Sequence, residues 1–441
     1  MANICVIGLG RIGLPLALLL TDANHKVIGV DNNHYILEKI SNRKLDEKNA
    51  KIEKDILEKY HGVSFFVTDD LEESLANSDV VFITIGTGIG NDGSPDLSVL
   101  YNLFNDICSD KKNVIDKLFI LKSTLPVGTT RKITDLIEKK TEFVCGEDFY
   151  MVFSPERVLG NKAITEMKSL PKIIGGINHT SAKKVAKIYE TIGGKLIYVN
   201  NPEEAELIKL MDNSYRQTLF AFANDISLIA QKYNINAYEI IEKANDNYPR
   251  NNIPFPSAGV SGYCLTKDPL YLESVFNDIS AERGFSSVWY YARKSNDYMP
   301  KFVVDLLKQE IIKLNIKAHE VNVLVCGISY KENTDDIRFS HGLEIAMKLR
   351  DERMNVFLWD PVVKQIDLDY TMVQNPYDII GDLDALIFTV KHNEFLMLRN
   401  NDEVINMALK MRTPIIIDGW GIFQNLIGNE KVHYCGVGIP G

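Results

Sequence analysis

The stretch from Asn3 to Asp31 restricts the fold of this chain more than any other. "NICVIG" is an apolar run typical of a buried strand, and "LPLALLL" has the character of a helix. Between them, "GLGRIG" places Gly8, Gly10 and Gly13 at GxGxxG spacing. The first glycine allows a tight turn, the second lets backbone amides approach a pyrophosphate, and the third lets the helix pack on the strand. The sequence therefore predicts a βαβ unit that binds a dinucleotide.

The acidic residue that ends the second strand indicates which dinucleotide is bound. "KVIGVD" closes on Asp31, 21 residues beyond Gly10, and two asparagines follow rather than an arginine. A carboxylate there accepts hydrogen bonds from a ribose diol and repels a 2′-phosphate. The helix N-terminus favours the pyrophosphate charge. These features favour NAD over NADP.

Strands and helices continue to alternate beyond this unit. "VSFFVT", "SDVVFITIGT", "DKLFILKST", "DFYMVFSPE" and "PKIIGG" have the character of short buried strands. This alternation predicts a doubly wound sheet, whose ligands gather at the carboxyl ends of the strands. Thr124 and Glu156 each follow a strand and are candidate site residues. The alternative is that they are a turn threonine and an exposed glutamate without a function, as such residues are at most strand ends.

A helical region follows and leads into a second α/β block. A helix is predicted from Pro202, capped by Asn201, and it carries Lys209, Asn213 and Arg216 as one polar stripe, which is either a functional face or a solvated one. From "VNVLVCGISY" onward the strand–turn–helix pattern recurs without a second GxGxxG. We predict an α/β fold with two Rossmann-like doubly wound domains, 1–200 and 316–441, joined by a central helical domain, 201–315.

Composition excludes several classes of function. The chain has 441 residues, 45% of them hydrophobic, and a net charge of −10, which argues against nucleic-acid binding. No apolar run reaches the ~18 residues of a membrane span, and no basic leader precedes the first strand. Six scattered cysteines indicate a reducing, cytoplasmic setting, and no CxxC, HxxH or HExxH spacing predicts a metal site.

The segment "GVSGYCLTKDP" presents Cys264 in a predicted glycine-rich loop. In a chain with an NAD domain, such a thiol indicates oxidation through a covalent intermediate. A first hydride transfer makes an aldehyde, to which the thiolate adds. A second hydride transfer leaves a thioester, and water releases the acid. This chemistry needs a group that stabilises the oxyanion, for which Lys209 with Asn213 is suited. It also needs a base for water, for which Asp268 and Glu156 are both candidates.

Several motifs together resemble the UDP-sugar 6-dehydrogenase family over essentially the full chain. They are, in order, "GLGRIGLP", "STLPVGTT", "FSPERVLG", "KLMDNSYR…FAND", "GVSGYCLTKDP", "ARKSND" and "GISYKENTDDIR". The resemblance implies an N-terminal NAD domain, a helical dimerising middle and a C-terminal UDP-binding domain. It implies two successive oxidations of a sugar C6 alcohol to a carboxylate by a homodimer or higher homo-oligomer.

The resemblance also implies residue roles. Cys264 resembles the thioester nucleophile, Lys209 and Asn213 the oxyanion and water-orienting pair, and Asp268 an acid that assists them. Thr124 and Glu156 resemble groups that position water and the C6 oxygen, with Glu156 as a general base. The candidate cofactor-binding residues are Gly8, Gly10, Arg11, Ile12, Gly13, Asp31, Thr87, Thr124 and Arg338. The candidate substrate-binding residues are Glu156, Arg157, Lys209, Asn213, Arg216, Arg250, Gly262, Tyr263 and Lys331.

The sugar is less constrained than the reaction. "GLGRIGLP", "PDLSVL" and Gly160 resemble the UDP-N-acetylhexosamine branch of the family, whereas Lys267 in "TKDP" resembles the UDP-glucose branch. We expect UDP-N-acetyl-D-mannosamine, with UDP-N-acetylglucosamine and UDP-glucose as alternatives. A one-step hydroxy-acid dehydrogenase would need neither Cys264 nor residues 320–441. A nucleotide-sugar-binding sensor would lack the catalytic set that is present here.

Overall fold

Strands that are buried on both faces form the centre of each half of the chain. The computed structural model describes residues 1–45, 51–90, 92–158, 162–400 and 402–440. Two units are formed, Met1–Asp212 with Leu270–Asp278, and Asn213–Pro269 with Ile279–Gly441. Gly160, used above to judge the sugar, lies outside the described residues.

The first unit contains an eight-stranded sheet and a two-stranded hairpin. Its strands are β1 (Asn3–Ile7), β2 (Lys26–Val30), β3 (Phe65–Thr68), β4 (Val80–Ile83), β5 (Gly88–Ile89), β6 (Pro95–Asp96), β7 (Leu118–Leu121), β8 (Tyr150–Phe153), β9 (Lys172–Gly176) and β10 (Leu196–Tyr198). The sheet order is β10-β9-β8-β7-β4-β1-β2-β3, and β5 pairs with β6. The pairs of this sheet are parallel except that of β8 with β9.

Helices connect these strands. They are α1 (Gly13–Asp22), α2 (His34–Ser41), α3 (Lys51–Tyr60), α4 (Leu71–Ala76), α5 (Ser98–Ile107), α6 (Thr129–Thr141), α7 (Ala163–Ser169) and α8 (His179–Ile192). The long α9 (Pro202–Lys232) follows, and the Asn201 side chain accepts a hydrogen bond from the Glu204 amide, as the predicted N-cap requires.

Alternate side chains of each strand enter two different apolar clusters. Ile4 and Val6 of β1 lie in one cluster and Cys5 and Ile7 in the other, and β4, β7 and β8 divide in the same way. Since successive side chains in a strand point to opposite faces, the sheet is covered by helices on both sides. This explains why these strands are continuous apolar runs rather than alternating ones.

The second unit contains a six-stranded, wholly parallel sheet. Its strands are β11 (Asn322–Cys326), β12 (Asn355–Trp359), β13 (Thr371–Met372), β14 (Ala385–Phe388), β15 (Ile415–Asp418) and β16 (His433–Gly436), in the order β13-β12-β11-β14-β15-β16. Its helices are α10 (Ala237–Asn245), α11 (Tyr263–Ser274), α12 (Asn277–Arg283), α13 (Val288–Lys313), α14 (His341–Asp351), α15 (Asn393–Asn400) and α16 (Glu403–Ala408). The unit boundaries fall inside α9, α11 and α12.

The two units repeat one turn geometry after their first strand. Gly8 and Gly327 both have positive φ, 92° and 96°, and a Cβ on Gly342 would clash with the Gly327 carbonyl oxygen, as one on Gly13 would clash with that of Gly8. The glycine that lets the helix approach the strand is therefore present in the second unit too, displaced along the chain by the "ISYKENTDDIRFS" insertion. The predicted pair of doubly wound sheets with an intervening helical region is confirmed.

One prediction differs from the structure, namely the loop around Cys264. The glycine segment ends at Gly262 and Cys264 lies in the first turn of α11, which continues through Pro269. The prediction of a loop rested on the glycines, which end directly before the helix begins. Proline lacks an amide hydrogen and usually breaks a helix interior, so Pro269 gave no sign of the helix. In the described part of the chain, no helix is long and apolar enough to cross a bilayer.

Candidate active site

The glycine turn after β1 leaves room for a ligand beside Gly10. A Cβ on Gly13 would collide with the carbonyl oxygen of Gly8, whereas one on Gly10 would meet no protein atom within 4 Å. Gly13 is thus required for packing and Gly10 for open space next to the N-terminus of α1. Thr84, at the end of β4, fixes the turn because its hydroxyl lies 2.7 Å from the Gly8 carbonyl oxygen. Sequence reasoning missed Thr84, although its place directly after a buried strand was a signal.

Asp31 lies beside the same turn. Its carboxylate accepts hydrogen bonds from the Leu9 amide at 2.7 Å and the Asn33 amide at 2.9 Å. Open space at Gly10, the positive end of α1 and this carboxylate suit a pyrophosphate and a ribose diol. The residues present therefore fit NAD, with Arg11 exposed and Ile12 partly buried in the same turn.

The segment that carries Thr124 follows β7. The buried Thr87 hydroxyl donates to the Thr124 carbonyl oxygen at 2.8 Å, and the Ser123 hydroxyl donates to that of Ile85 at 2.7 Å. Thr87 and Thr124, two of the predicted residues, are thus brought together. These two hydrogen bonds fix the backbone of the segment that carries the Thr124 side chain.

Glu206 anchors the other end of this segment and was not predicted. Its fully buried carboxylate accepts hydrogen bonds from the Gly128 amide at 2.6 Å and from the Thr130 amide at 2.8 Å and hydroxyl at 2.6 Å. Burial raises the pKa of Glu206 to about 7, against the opposing effect of those hydrogen bonds. Its position three residues before Lys209, in line with the polar stripe of α9, was the available signal.

Lys209 binds the segment that follows β8. Its Nζ donates to the main-chain carbonyl oxygen of Glu156 at 2.9 Å. The Glu156 side chain instead forms an ion pair with Lys122, Nζ to Oε2 at 3.2 Å, and the pair is almost fully buried. Burial would raise the pKa of Glu156, but Lys122 and the Arg157 amide hold it below its ordinary value. Arg157 itself pairs with Asp212 at 3.2 Å.

In the second unit, Cys264 differs from the other cysteines. All six are thiols within the described residues, and of these Cys264 is exposed whereas the other five are buried or half-buried. Burial raises the pKa of Cys5 and Cys435 to about 12, and that of Cys145 to about 11. These thiols are therefore unreactive as nucleophiles near neutral pH, whereas Cys264 is accessible at the start of a helix.

One turn along α11 from Cys264 lies a buried polar pair. The Asp268 carboxylate, fully buried, accepts a hydrogen bond from the Asn213 side-chain amide at 2.6 Å. The buried Lys267 ammonium lies 3.9 Å from the other oxygen of Asp268. Residues four apart share a helix face, so Cys264 and Asp268 project from the same side of α11.

The loop between β11 and α14 packs against the cysteine segment. Gly262 has φ 95°, and a Cβ there would clash with the Tyr330 ring. The Arg338 guanidinium lies 5.1 Å from the Tyr263 ring centroid. Its hydrogen bonds to Asp336 are the main reason why the pKa of Arg338 is raised, and the charges of Tyr263 and Cys264 add to the effect. The structure therefore brings Gly262, Tyr263, Cys264 and Arg338 together.

Lys331 is fixed in this loop by a buried network that sequence reasoning missed. The Ser329 hydroxyl donates to the Lys331 carbonyl oxygen at 2.7 Å, and the Asp360 carboxylate accepts from the Ser329 amide at 3.2 Å. His392, fully buried, lies 3.2 Å from the Ser329 hydroxyl and accepts from the Asn333 amide at 3.0 Å. Asp360 directly follows β12, as Asp31 directly follows β2, and this position was the signal in the sequence.

Two predicted residues lie apart from these clusters. Arg216 is exposed on α9, and the exposed Arg250 donates to the Tyr248 hydroxyl at 2.8 Å. Their predicted contacts with the sugar stay predictions. Within the described residues, no three His, Cys, Asp or Glu side chains cluster as metal ligands would.

Family models for three consecutive domains match this chain. They are the NAD binding domain over residues 2–193, the central domain over 203–298 and the UDP binding domain over 324–425 of the UDP-glucose/GDP-mannose dehydrogenase family. The chain belongs to this family. It is an NAD-dependent nucleotide-sugar dehydrogenase, which confirms the predicted family, cofactor and class of enzyme.

Curated relatives that match along most of this chain carry the name UDP-N-acetyl-D-mannosamine dehydrogenase. The UDP-N-acetyl-D-mannosamine dehydrogenase of Pyrococcus horikoshii is 34% identical over 99% of both chains. That of Campylobacter jejuni is 31% identical over 92% of this chain and 99% of its own. Among solved structures, UDP-D-ManNAc dehydrogenase from P. horikoshii has a TM-score of 0.89 at 32% identity, with 99% of both chains covered.

Proposed function

We propose that this dehydrogenase oxidises the C6 alcohol of UDP-N-acetyl-D-mannosamine to the carboxylate through a thioester on Cys264, with two NAD per sugar. The observation that carries the proposal is the exposed thiol of Cys264 on the same face of α11 as the buried Asp268–Asn213 pair. A nucleophile that is accessible next to a fixed polar pair is what covalent catalysis requires.

The reaction divides into two oxidations and a hydrolysis. NAD, held by the turn over residues 8–13 and by Asp31, would supply the hydride acceptor for each of the two oxidations. The first converts the alcohol to an aldehyde, and its hydroxyl proton goes to a base. The Cys264 thiolate then adds to the aldehyde carbon to give a hemithioacetal, which the second oxidation converts to a thioester. Water cleaves the carbon–sulfur bond and releases the carboxylate and the thiol, so that four electrons leave the sugar in total.

Lys209 and Asn213 are proposed to stabilise the oxyanion that forms when the thiolate adds. A cation and an amide donor are suited to this role, and the helix α9 keeps the two one turn apart. For the base that activates water, we favour Asp268 over Glu156. The Glu156 carboxylate is held by Lys122 with a lowered pKa, which makes it a weak base.

Three observations support the choice of sugar. The two curated relatives named above are UDP-N-acetyl-D-mannosamine dehydrogenases. The solved structure with a TM-score of 0.89 also has this activity in its name. A second solved structure, NDP-N-acetyl-D-galactosaminuronic acid dehydrogenase from Methanosarcina mazei Go1, has a TM-score of 0.84 at 25% identity and covers 100% of this chain. An N-acetylated sugar is common to all of them.

Intact-protein mass spectrometry of Cys264→Ser tests the covalent step. The variant is incubated with NAD and UDP-N-acetyl-D-mannosamine, and a serine ester of the uronate is expected because an ester hydrolyses more slowly than a thioester. Cys145→Ser, which changes a half-buried thiol, is the matched control and should turn over without an adduct. Normal turnover by Cys264→Ser would rule out the thioester.

We propose that the enzyme is a cytoplasmic homodimer. In the second unit, Tyr215, Phe222 and Ile229 of α9 are 61%, 49% and 56% exposed and recur every seven residues. A heptad-spaced apolar stripe is self-complementary about a two-fold axis, so a second copy of the chain is the occupant that we assign. Phe222→Glu should shift the mass in light scattering to a monomer, and Val63→Glu, at an apolar position of the first unit that is still more exposed, should not.

A further inference from the structure

Lys122 is a buried lysine at the carboxyl end of β7 whose side chain is only 4% exposed. Its Nζ pairs with the Glu156 carboxylate at 3.2 Å, donates to the Ser154 carbonyl oxygen at 3.2 Å, and lies 3.4 Å from the Tyr189 hydroxyl. Burial alone would lower the pKa of Lys122, but Glu156 and Tyr189 raise it. Both members of the pair are therefore charged at neutral pH.

The segment after β8 is held at two points by this one ammonium. Ser154 is bound through its carbonyl oxygen and Glu156 through its carboxylate, with Pro155 between them. Proline fixes φ, so two anchors on either side of it leave the peptide little freedom. The Glu156 carbonyl oxygen, which accepts the hydrogen bond from Lys209 Nζ at 2.9 Å, is consequently fixed in position.

We propose that Lys122 is a positioning residue for Lys209. It acts through Glu156. The Glu156 carboxylate forms the ion pair with Lys122, and the Glu156 carbonyl oxygen orients the Lys209 ammonium. The inference rests on the proposed function, in which Lys209 stabilises the oxyanion. It goes further because it assigns a role in catalysis to a lysine that has no part in the proposed chemistry. Lys122 affects the oxyanion only through Glu156 and Lys209.

Lys117 provides a matched control for the loss of a buried lysine. It immediately precedes β7, at the opposite end of the same strand, and the whole residue is buried to the same extent as Lys122. Its Nζ donates to the Ser78 carbonyl oxygen at 2.8 Å. Lys117→Met therefore removes a buried ammonium and a hydrogen bond to backbone without touching the carboxyl end of the sheet.

The test is a double-mutant cycle on kcat with Lys122→Met and Lys209→Ala. We expect Lys122→Met to lower kcat about 10-fold while KM for NAD changes less than about 2-fold, and to have almost no further effect in the Lys209→Ala background. Lys117→Met should leave kcat unchanged. An equal loss of kcat from Lys122→Met in both backgrounds, or no loss in either, would overturn the positioning role.

A second variant addresses stability, because Lys122→Met leaves the Glu156 charge buried and unpaired. Lys122→Met/Glu156→Gln removes both charges, so it should fold as well as Lys117→Met by thermal melting and still show the reduced kcat. Recovery of wild-type kcat in this double variant would contradict the inference. If Lys209→Ala itself kept full kcat, the proposed function of Lys209 would fail; if only Lys122→Met did, the inference alone would fail.

Discussion

Glu206→Gln should remove a pH dependence of stability that is built into the first unit. The wild-type carboxyl is fully buried, and burial raises its pKa from 4.5 to about 7. The folded chain therefore keeps this proton up to about pH 7, whereas the unfolded chain releases it near pH 4.5. Stability from this group is fully present below pH 4.5 and is lost as the pH rises through 7.

The size of the effect follows from the two pKa values. At about 1.4 kcal/mol per pH unit, the loss between pH 4.5 and 7 is about 3 kcal/mol. In a unit of roughly 200 residues this corresponds to a melting temperature lower by about 6 to 12 °C. Glutamine does not titrate, so Glu206→Gln should lack this component, while every other group contributes equally in both proteins.

The assay is a thermal melt of both proteins at pH 5 and pH 8. Glu203→Gln is the control, because its pairing with Arg131 lowers the pKa of Glu203 against the effect of its own burial, which places its titration below this window. Glu203→Gln should thus keep nearly the wild-type difference. If Glu206→Gln shows the full wild-type difference between pH 5 and pH 8, the hydrogen bonds from α6 outweigh burial and the reasoning is refuted.

Three further predictions concern the site. Cys264→Ala should abolish formation of the uronate and Cys264→Ser should slow it severely, as measured by product analysis; normal turnover of either would exclude the thioester. Lys209→Ala should lower kcat about 100-fold through lost oxyanion stabilisation, and an unchanged kcat would remove it from the site. Gly13→Ala should weaken NAD binding and Gly342→Ala UDP binding, each at least about 10-fold in fluorescence titrations, because the added methyl displaces the turn; affinities equal to wild type would show that the turns tolerate a Cβ.

The parts of this fold that local patterns determine were predictable from sequence. The GxGxxG turn, the buried strands and the Asn201 cap of α9 each follow from a few adjacent residues. The start of α11 was not predictable, because a proline inside a helix argues against the helix. Two contacts distant in sequence help to fix this start, namely the packing of Gly262 against Tyr330 and the hydrogen bond from the Gly262 amide to the Phe339 carbonyl oxygen.

The candidate site was predictable as a set of residue types but not as a set of contacts. The Asn213–Asp268 hydrogen bond joins residues 55 positions apart, and the Lys122–Glu156 pair joins neighbouring strand ends. A buried lysine, such as Lys122, cannot be distinguished by its sequence alone from an exposed one. Lys209 and Glu156 were candidates from the residues, and the resemblance to a family gave them roles, but the role of the Glu156 carbonyl oxygen is visible only in three dimensions.

The central claim is a four-electron oxidation of an N-acetylated UDP-sugar, and counting NADH per sugar tests it most directly. The purified enzyme is given excess NAD and a limiting amount of UDP-N-acetyl-D-mannosamine, UDP-N-acetylglucosamine or UDP-glucose. The account predicts two NADH per UDP-N-acetyl-D-mannosamine consumed, with slower turnover of the other two sugars. One NADH per sugar would mean that the aldehyde leaves before Cys264 captures it. Two NADH per UDP-glucose, with no turnover of UDP-N-acetyl-D-mannosamine, would contradict the proposed sugar substrate. The proposed four-electron mechanism would then still stand.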